Sequence, residues 1–257
     1  MTQNLNRIIK KWQRKDLVIL AARPAMGKTV LALSCALNVA KSGESVAIFS
    51  FEMSKDEFML RLLSMKSGVN SRSIKNGTLT LEEQEKLSQA ARTIEALSST
   101  IALDDAKDNS VENLRSKLSK YTAEKDLGLV IVDYLQLINT SNAKKGQTRE
   151  QEMFEISCGL KSMAHDFNIP IILLSQLTKI VEKRKDRRPK LIDLLVFGAV
   201  EQAADIVMFL YRENYYNLEF KPEGKSELII AKNRHGPTET TFLTFDSINT
   251  LFRDFQD

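Results

Sequence analysis

Residues 22–29 of the chain are Ala22-Arg23-Pro24-Ala25-Met26-Gly27-Lys28-Thr29. Residues 17–21 before this stretch are all apolar, and apolar residues recur at helical spacing over residues 30–40. A strand, a tight loop and a helix are therefore predicted, which is the context of a phosphate-binding loop. Ala22 stands where the strict motif has glycine, and the alternative is a plain strand–turn–helix joint with a surface lysine. Gly27-Lys28-Thr29 at this junction favours the phosphate-binding loop.

The predicted loop has the groups that bind a polyphosphate. Its backbone N–H groups and the positive end of the following helix converge on the phosphates. Lys28 can reach the outer phosphates, and the Thr29 hydroxyl can bind a magnesium ion. The predicted nucleotide-binding residues are Arg23, Pro24, Ala25, Met26, Gly27, Lys28 and Thr29.

The composition is that of an ordinary globular chain, with 257 residues, 43% of them hydrophobic and 27% charged. A chain of this length can bury a core without disulfides or metal. The sequence has no apolar signal segment and no run long enough to span a membrane, so a cytoplasmic protein is expected. Cys35 and Cys158 lie far apart without metal-ligand spacing, so a zinc site is not expected.

Short apolar runs alternate with amphipathic segments along most of the chain. The apolar runs are residues 17–21, 46–51, 129–132, 171–174 and 206–210. This alternation predicts an α/β fold with a mostly parallel sheet covered by helices on both faces. Residues 228–231 and 241–245 flank a turn at Gly236-Pro237, which predicts antiparallel edge strands near the C-terminus.

The chain is predicted to form one domain. Residues 1–16 are a polar, basic lead-in, and residues 17–257 form the domain itself. Residues 68–79 are predicted to be a connection without regular structure. In the helix that follows, Leu87, Ala91, Ile94 and Leu97 are predicted to share one buried face.

Four predicted strands end in polar or ionisable groups, which are the phosphate-binding loop, Glu52, Asp133 and Gln176. Ligands of such sheets gather at the carboxyl ends of the strands. Asp133 follows four apolar residues and is predicted to support magnesium, although a helix-capping or solvated aspartate is an alternative. Glu52 could activate the water that attacks a γ-phosphate, or it could only complement a helix dipole. Gln176 could sense the γ-phosphate, or form a hydrogen bond at a strand end.

Two groups of cations lie outside the phosphate-binding loop. Residues 179–190 hold seven cations and two acids, an excess of five that exceeds the net charge of +4 for the whole chain. This segment could contact a polyanion or form a solvated loop. Lys232 and Arg234, one residue apart in an extended segment, point the same way. They could supply positive charge to phosphoryl transfer, or lie at the tip of a surface hairpin.

Together these stretches resemble the C-terminal motor domain of the bacterial and phage replicative helicases, the DnaB family within the RecA-like ATPases. The resemblance covers residues 5–253. The matching stretches are residues 21–29, 48–54, 132–137, 174–177, 209–212 and 231–238, which read AARPAMGKT, IFSFEMS, VDYLQL, LSQL, FLYR and AKNRHGPT. Their shared order and spacing are highly specific.

The resemblance implies a RecA-like P-loop NTPase that forms a hexameric ring and binds ATP and Mg²⁺ between subunits. It implies that Lys28 and Thr29 bind phosphate and magnesium, with Asp133 supporting the metal. Glu52 would be the catalytic base, and Gln176 would couple the γ-phosphate to loops facing the central channel. Lys232 and Arg234 would reach the ATP of the neighbouring subunit. Single-stranded DNA, primase and a helicase loader are implied as partners, and no membrane.

The sequence departs from the family's pattern in the channel loop. Where the family usually has Arg-Glu-Ser-Gly, this chain has Leu195-Val196-Phe197-Gly198, so the cation that holds DNA phosphates is absent. The residues predicted to contact DNA are Lys144, Arg149, Lys183, Arg184 and Gly198. In the lead-in, Lys10-Lys11 replaces a frequent Gly-Gly pair. The family's N-terminal helical domain has no counterpart in the chain, and a weaker ring is expected.

The leading hypothesis is an ATP-driven replicative DNA helicase motor that moves along single-stranded DNA and unwinds duplex. The alternative is a non-motor ATPase, such as an assembly or loading factor, whose grip on DNA is weakened by the substitutions at 195–197. A strand-exchange recombinase on the same core fits less well, because residues 209–212 and 232–234 match the helicases better.

Overall fold

A computed structural model describes residues 3–9, 12–140, 146–194, 198–217, 219–220 and 224–255 of the chain. Its helices are α1 (Gln3–Ile9), α2 (Lys28–Lys41), α3 (Lys55–Ser67), α4 (Ser71–Asn76), α5 (Leu81–Ala96), α6 (Val111–Glu124), α7 (Arg149–Asp166) and α8 (Ala199–Ala203). Its strands are β1 (Leu17–Ala22), β2 (Ser45–Ser50), β3 (Ile101–Asp104), β4 (Leu127–Asp133), β5 (Ile171–Gln176), β6 (Ile206–Tyr211), β7 (Lys225–Asn233), β8 (Glu239–Asp246) and β9 (Leu251–Asp254).

The described strands form one sheet in the order β3-β2-β4-β5-β1-β6-β7-β8-β9. Strands β1 to β6 pair in parallel, and β7, β8 and β9 extend the sheet in antiparallel fashion. The predicted mostly parallel sheet with antiparallel strands near the C-terminus is therefore confirmed. Strand β1 lies in the middle of the sheet, between β5 and β6. Because β1 and β5 run in parallel, the loop after β1 lies beside the end of β5.

Apolar side chains from the two faces of the sheet form two cores. On β1, Val18 and Leu20 face α1, α2 and α3, whereas Leu17 and Ile19 face α6 and α7. Because successive side chains of a strand point to opposite faces, an uninterrupted apolar strand signals a sheet covered on both sides. Every residue of β1 is buried, as that pattern requires.

Helix boundaries follow local capping chemistry. Ser54 accepts a hydrogen bond from the Glu57 N–H, and the Glu57 carboxylate accepts from the Ser54 N–H, which together form a capping box at α3. Thr80 with Glu83 and Thr148 with Gln151 do the same at α5 and α7. Such pairs satisfy backbone donors that the first helical turn leaves without partners.

Three sequence expectations differ from the structure. Residues 68–79 are not irregular throughout, because α4 begins after its cap Asn70 and ends at Gly77. No residue of α4 is buried, so the helix left no apolar periodicity in the sequence. On α5 the buried residues are Ala90 and Ile94, so Ile94 agrees with the prediction, whereas Ala91 is exposed and Ala90 is buried in its place. The sequence pattern does not predict strand β9, which pairs with β8.

The start of the chain is part of the fold. Leu5 and Ile8 of α1 are both 1% exposed and lie in the same core as α2 and β8. The Asn4 N–H donates to Asp254 Oδ1 at 2.9 Å, which joins α1 to β9. The division into a lead-in (1–16) and a motor domain (17–257) stays a prediction. Among the described helices, none combines the length and apolarity needed to cross a membrane.

We predict that Leu5→Ala lowers the free energy of unfolding by about 2–4 kcal/mol, because it removes a buried side chain and leaves a cavity. Urea denaturation of the purified chain measures this change. The matched control is Leu81→Ala at a side chain that is 82% exposed, where the expected loss is below about 0.5 kcal/mol. Equal losses in the two variants would mean that α1 contributes no packing energy.

Candidate functional site

The loop between β1 and α2 follows a path that only a few residues allow. Ala25 and Gly27 have φ angles of 61° and 97°, in the left-handed region. A Cβ at Gly27 would lie 3.1 Å from the Phe245 ring and 3.2 Å from the Phe252 ring, so glycine is required both by conformation and by space. Because α2 begins at Lys28, the loop presents the N-terminal end of that helix, where backbone N–H groups are free to bind an anion.

A buried carboxylate lies beneath this loop. Thr29 Oγ1 donates a hydrogen bond to Asp133 Oδ2 at 2.9 Å, whereas Oδ1 of Asp133 is buried without a hydrogen-bond partner. Burial raises the pKa of Asp133, and the nearby charge of Lys28 opposes that shift. A threonine hydroxyl and an unpartnered carboxylate oxygen are ligands that Mg²⁺ takes. The two residues therefore fit the predicted metal.

The Lys28 ammonium lies in the same buried setting. Its Nζ is 4.6 Å from the centroid of the Tyr134 ring. Burial lowers the pKa of Lys28, and the charges of Asp133 and Glu52 oppose the shift. The described residues contain no group of three or more histidine, cysteine or acidic side chains that could hold a metal alone. A magnesium ion at Thr29 and Asp133 would therefore need oxygens from its ligand, as is usual for Mg²⁺ with nucleotides.

An open cleft of about 270 Å³ surrounds the phosphate-binding loop. Glu52, two residues after the end of β2, and Gln176, the last residue of β5, line the cleft together with the loop. Arg61 of α3 also lines the cleft, and its charge acts on Asp133. The hairpin between β8 and β9 closes the cleft with Phe245 and Thr250. The cleft thus combines cations, an acid and a neutral amide around a helix N-terminus.

Gln136 fixes the end of β5. Its Nε2 donates to Gln176 O and to Ser175 Oγ, each at 3.1 Å, and its Oε1 accepts from the Gln176 N–H at 3.2 Å. The side-chain amide therefore pairs with the backbone of Gln176 on both sides, much as a neighbouring strand would. Arg149 in turn donates to Gln136 O at 2.9 Å and forms an ion pair with Glu152. This ties the loop after β4 to the start of α7.

Arg23 connects the phosphate-binding loop to the segment after β5. Its Nε donates to Glu182 Oε1 and its Nη1 to Leu177 O, both at 2.7 Å. The Arg23 side chain is only 7% exposed, so these charge-assisted bonds are largely shielded from water. These two bonds link the loop after β1 to residues 177 and 182, so a movement of the loop would also displace that segment.

The basic segment 179–190 is partly neutralised within the chain. Arg184 donates to both carboxylate oxygens of buried Asp193, at 2.7 and 2.6 Å. Arg188 makes a similar pair of bonds to Glu227, at 2.9 and 2.7 Å. Lys183 is exposed. Of the residues predicted to contact DNA, Lys144 lies outside the described residues, as do Leu195, Val196 and Phe197 of the channel loop. Gly198 has a φ of 94° and precedes α8.

Lys232 and Arg234 lie away from the cleft. Lys232 Nζ donates to Glu201 O at 2.6 Å, and Arg234 donates to Gln202 O and Asp205 Oδ1, each at 3.0 Å. Burial lowers the pKa of Lys232, and the charge of Arg234 adds to that shift. Both cations therefore contact the C-terminal part of α8 and the start of β6. Their predicted common direction agrees with these contacts.

Comparison with known proteins places this site in a family. The family model for the DnaB-like helicase C terminal domain matches residues 1–254. The chain belongs to this family. It is 43% identical over 242 residues to replicative DNA helicase DnaB of Geobacillus stearothermophilus. It is 44% identical over the same length to replicative DNA helicase DnaC of Bacillus subtilis (strain 168). In both cases 94% of the chain is covered, but only 53% of the relative, so the chain spans about half their length.

Solved structures agree with this assignment. One solved ATPase domain matches with a TM-score of 0.89 at 37% identity, covering 95% of this chain and 86% of the other. A DnaB-like replicative helicase, studied together with its interactions with primase, matches with the same TM-score and identity over 58% of its length. The resemblance to the DnaB family and the RecA-like fold expected from it are thereby confirmed.

The fold brings most of the predicted nucleotide-site residues together and leaves their roles as predictions. Lys28, Thr29, Glu52 and Gln176 meet in the cleft, with Asp133 beneath them. Sequence reasoning missed Arg61, Phe245 and Thr250, which carry no motif and reach the cleft only through tertiary packing. It also assigned no role to Gln136, although the position of this polar residue, three after Asp133, was a usable signal.

We predict that Arg23 and Glu182 are energetically coupled. In a double-mutant cycle with Arg23→Gln and Glu182→Gln, the coupling free energy from urea denaturation should reach about 1 kcal/mol, because the Arg23 side chain is buried and Glu182 is only 35% exposed. The comparison cycle uses Lys86 and Glu82, an ion pair on the surface of α5. A smaller coupling is expected there. Additive effects of the Arg23 and Glu182 variants would refute the link.

Proposed function

We propose that this chain is the ATP-hydrolysing motor domain of a ring-forming replicative DNA helicase. The observation that carries the proposal is the separation of the two cation sets within one subunit. Lys28 lies at the carboxyl end of β1, whereas Arg234 contacts Asp205, whose carboxylate accepts the N–H of Leu17 at the other end of that strand. A six-residue strand is about 20 Å long. Arg234 is thus out of reach of its own nucleotide site and suited to a neighbour's.

Within the cleft, each residue has a proposed task. Lys28 and the N–H groups at the start of α2 bind the phosphates of ATP. Thr29 and Asp133 would hold Mg²⁺, and the ion would supply positive charge to the phosphate oxygens. Glu52 accepts a proton from the attacking water, and Gln176, fixed by Gln136, contacts the γ-phosphate. Water activation and phosphate sensing would then come from two different strand ends.

The positive charge that phosphoryl transfer requires would be completed by an adjacent subunit. Lys232 and Arg234 of one copy would approach the nucleotide of the next, so turnover would depend on assembly into a ring. The hexameric state is proposed by analogy with the family. The primase interaction named for one structural relative is likewise proposed for this chain, as is contact with a helicase loader.

DNA contact is proposed for the segments that follow β4 and β5. Lys183 is exposed in the basic segment, and Arg23 and Glu182 connect that segment to the phosphate-binding loop. Single-stranded DNA would bind through its phosphates, largely without regard to sequence. Arg149 and Arg184 already have partners in the chain, so direct DNA contact by either requires that a bond be exchanged. Lys183 is therefore the sharper probe.

We predict that two inactive variants restore turnover when mixed. Lys28→Ala removes phosphate binding, and Arg234→Ala removes the trans cation while leaving ATP binding nearly intact. An interface between subunits is active only if one subunit keeps Lys28 and the adjacent subunit keeps Arg234. In an equal mixture of the two variants, about a quarter of the interfaces meet both conditions, so up to about a quarter of wild-type ATPase activity should return.

The control for this mixture is Arg115→Ala. The Arg115 side chain is 44% exposed, close to the 48% of Arg234, and pairs with Asp166 on the surface. This variant should keep wild-type turnover. Full ATPase activity of Arg234→Ala by itself would exclude a site shared between subunits. So would a wild-type chain whose ATPase activity per molecule stays constant when it is diluted until it is monomeric.

We predict that Lys183→Gln weakens the binding of labelled oligothymidylate. The slope of log K against log salt concentration should fall by about 0.7, the value for one lost phosphate contact on a single strand. Fluorescence anisotropy over a range of salt concentrations, with an ATP analogue present, gives both slopes. The exposed Lys120 of α6 provides the control Lys120→Gln, whose slope should match the wild type. Absence of DNA binding by the wild-type chain even at low salt would favour the non-motor ATPase.

A further inference from the structure

A second cavity lies behind the hairpin that closes the nucleotide cleft. This rear pocket has a volume of about 670 Å³ and is formed by one face of α2, the end of α3 and strand β9. Its α2 residues are Ser34, Leu37, Asn38 and Lys41, which recur at helical spacing. The rear pocket shares no lining residue with the nucleotide cleft. It is therefore a separate site, unused by the proposed ATPase mechanism.

Two lysines line the rear pocket from neighbouring helices. Lys41 ends α2 and Lys66 lies in the last turn of α3, and both side chains line this cavity. Among the described lining residues the acidic side chain is Asp254, whose Oδ1 accepts the Asn4 N–H, and no carboxylate charge contributes to the pKa shift of Lys66. Burial, followed by the hydrogen bond and charge of Lys41, lowers the pKa of Lys66 to about 8. Like charges held this close repel each other unless an anion binds between them.

Asn38 adds a donor that lacks an acceptor. Its Nδ2 is buried and has no hydrogen-bond partner. It lies one helical turn before Lys41 on the same face of α2, in the wall between the rear pocket and a neighbouring cavity around Trp12. Buried amide groups without partners are uncommon in native proteins and call for an acceptor from elsewhere. Asn38, Lys41 and Lys66 thus give the wall of one cavity three side chains that can donate hydrogen bonds.

The rest of the pocket wall is mixed. Leu37, Met65, Leu251 and Phe252 provide apolar surface, and Arg253 adds a further cation, although it is already paired with Asp246. Asp254 also lines the pocket, and its carboxylate accepts the Asn4 N–H. A single phosphate ion fills only part of such a volume. The apolar wall leaves room for an organic group attached to the anion.

We propose that the rear pocket binds a phosphorylated small molecule, with the phosphate oxygens on Lys41, Lys66 and Asn38. A phosphate dianion matches two ammonium groups in charge, and its oxygens match the three donors in number. The organic part of the ligand packs on Leu37 and Met65. Binding supplies the acceptor that Asn38 lacks and removes the repulsion between the lysines.

The test is an NMR titration of the Lys28→Ala variant, in which the phosphate-binding loop is silenced. Inorganic phosphate and ribose 5-phosphate are added separately, and the side-chain amide of Asn38 and the backbone amides of residues 37–41 and 65–67 are followed. Both ligands should shift these signals, with ribose 5-phosphate binding at least about threefold more tightly because of its organic part. Equal affinity would overturn the small-molecule assignment in favour of free phosphate.

Variants of Lys66 make the test specific to the pocket. Lys66→Gln should weaken ribose 5-phosphate at least about tenfold, whereas Lys66→Arg should keep the affinity within about threefold. The control Lys75→Gln, at an exposed lysine of α4, should leave it unchanged. Because Lys66→Gln also removes a like-charge contact, its Tm should not fall. Undiminished binding by Lys66→Gln, or no shift at about 10 mM ligand, would overturn the proposal.

Discussion

Burial of opposite charges beneath the phosphate-binding loop is the constraint on which the site depends. Lys28 and Asp133 lie within reach of each other's charge, but burial lowers the pKa of the lysine and raises that of the aspartate. Their mutual attraction opposes both shifts without satisfying Asp133 Oδ1, which has no partner. A ligand that brings phosphate oxygens to Lys28 and a cation to Asp133 supplies each group with its missing counter-charge. The charges in the cleft therefore support the proposed binding of a polyphosphate with its metal ion.

The rest of the cleft serves to hold that arrangement in place. Gln136 fixes the backbone of Gln176, and Arg23 fixes Leu177 and Glu182, so the end of β5 is tied to both β4 and the loop after β1. Each tie is a side chain that bonds to backbone or to a charged partner, and such bonds define position sharply. A change at the phosphate-binding loop is consequently felt first in residues 176–182, at the start of the basic segment.

The parts of the fold that sequence could predict are those whose signal is local. The apolar run of β1, the Gly27-Lys28-Thr29 turn and the capping pair Ser54–Glu57 each specify their structure within a few residues. Arg61, Phe245 and Thr250 line the cleft from elements that are distant in sequence from the phosphate-binding loop. A local sequence pattern does not predict such tertiary contacts. α4 is fully capped but has no buried face, so its apolar periodicity is absent. The pairing of Arg184 with Asp193 also depends on how the loop folds, which charge counting cannot reveal.

The contacts of Lys232 and Arg234 give α8 a mechanical role. Their side chains hold the carbonyl oxygens of Glu201 and Gln202, and α8 follows the channel loop directly after Gly198. In the proposed ring, movement of the two cations towards the nucleotide of the next subunit would draw them away from these carbonyls. Val200 of α8 would stay packed, because its side chain is fully buried in the core that also holds α7. Nucleotide binding in one subunit would therefore change how the C-terminal end of this five-residue helix is held in the neighbouring subunit.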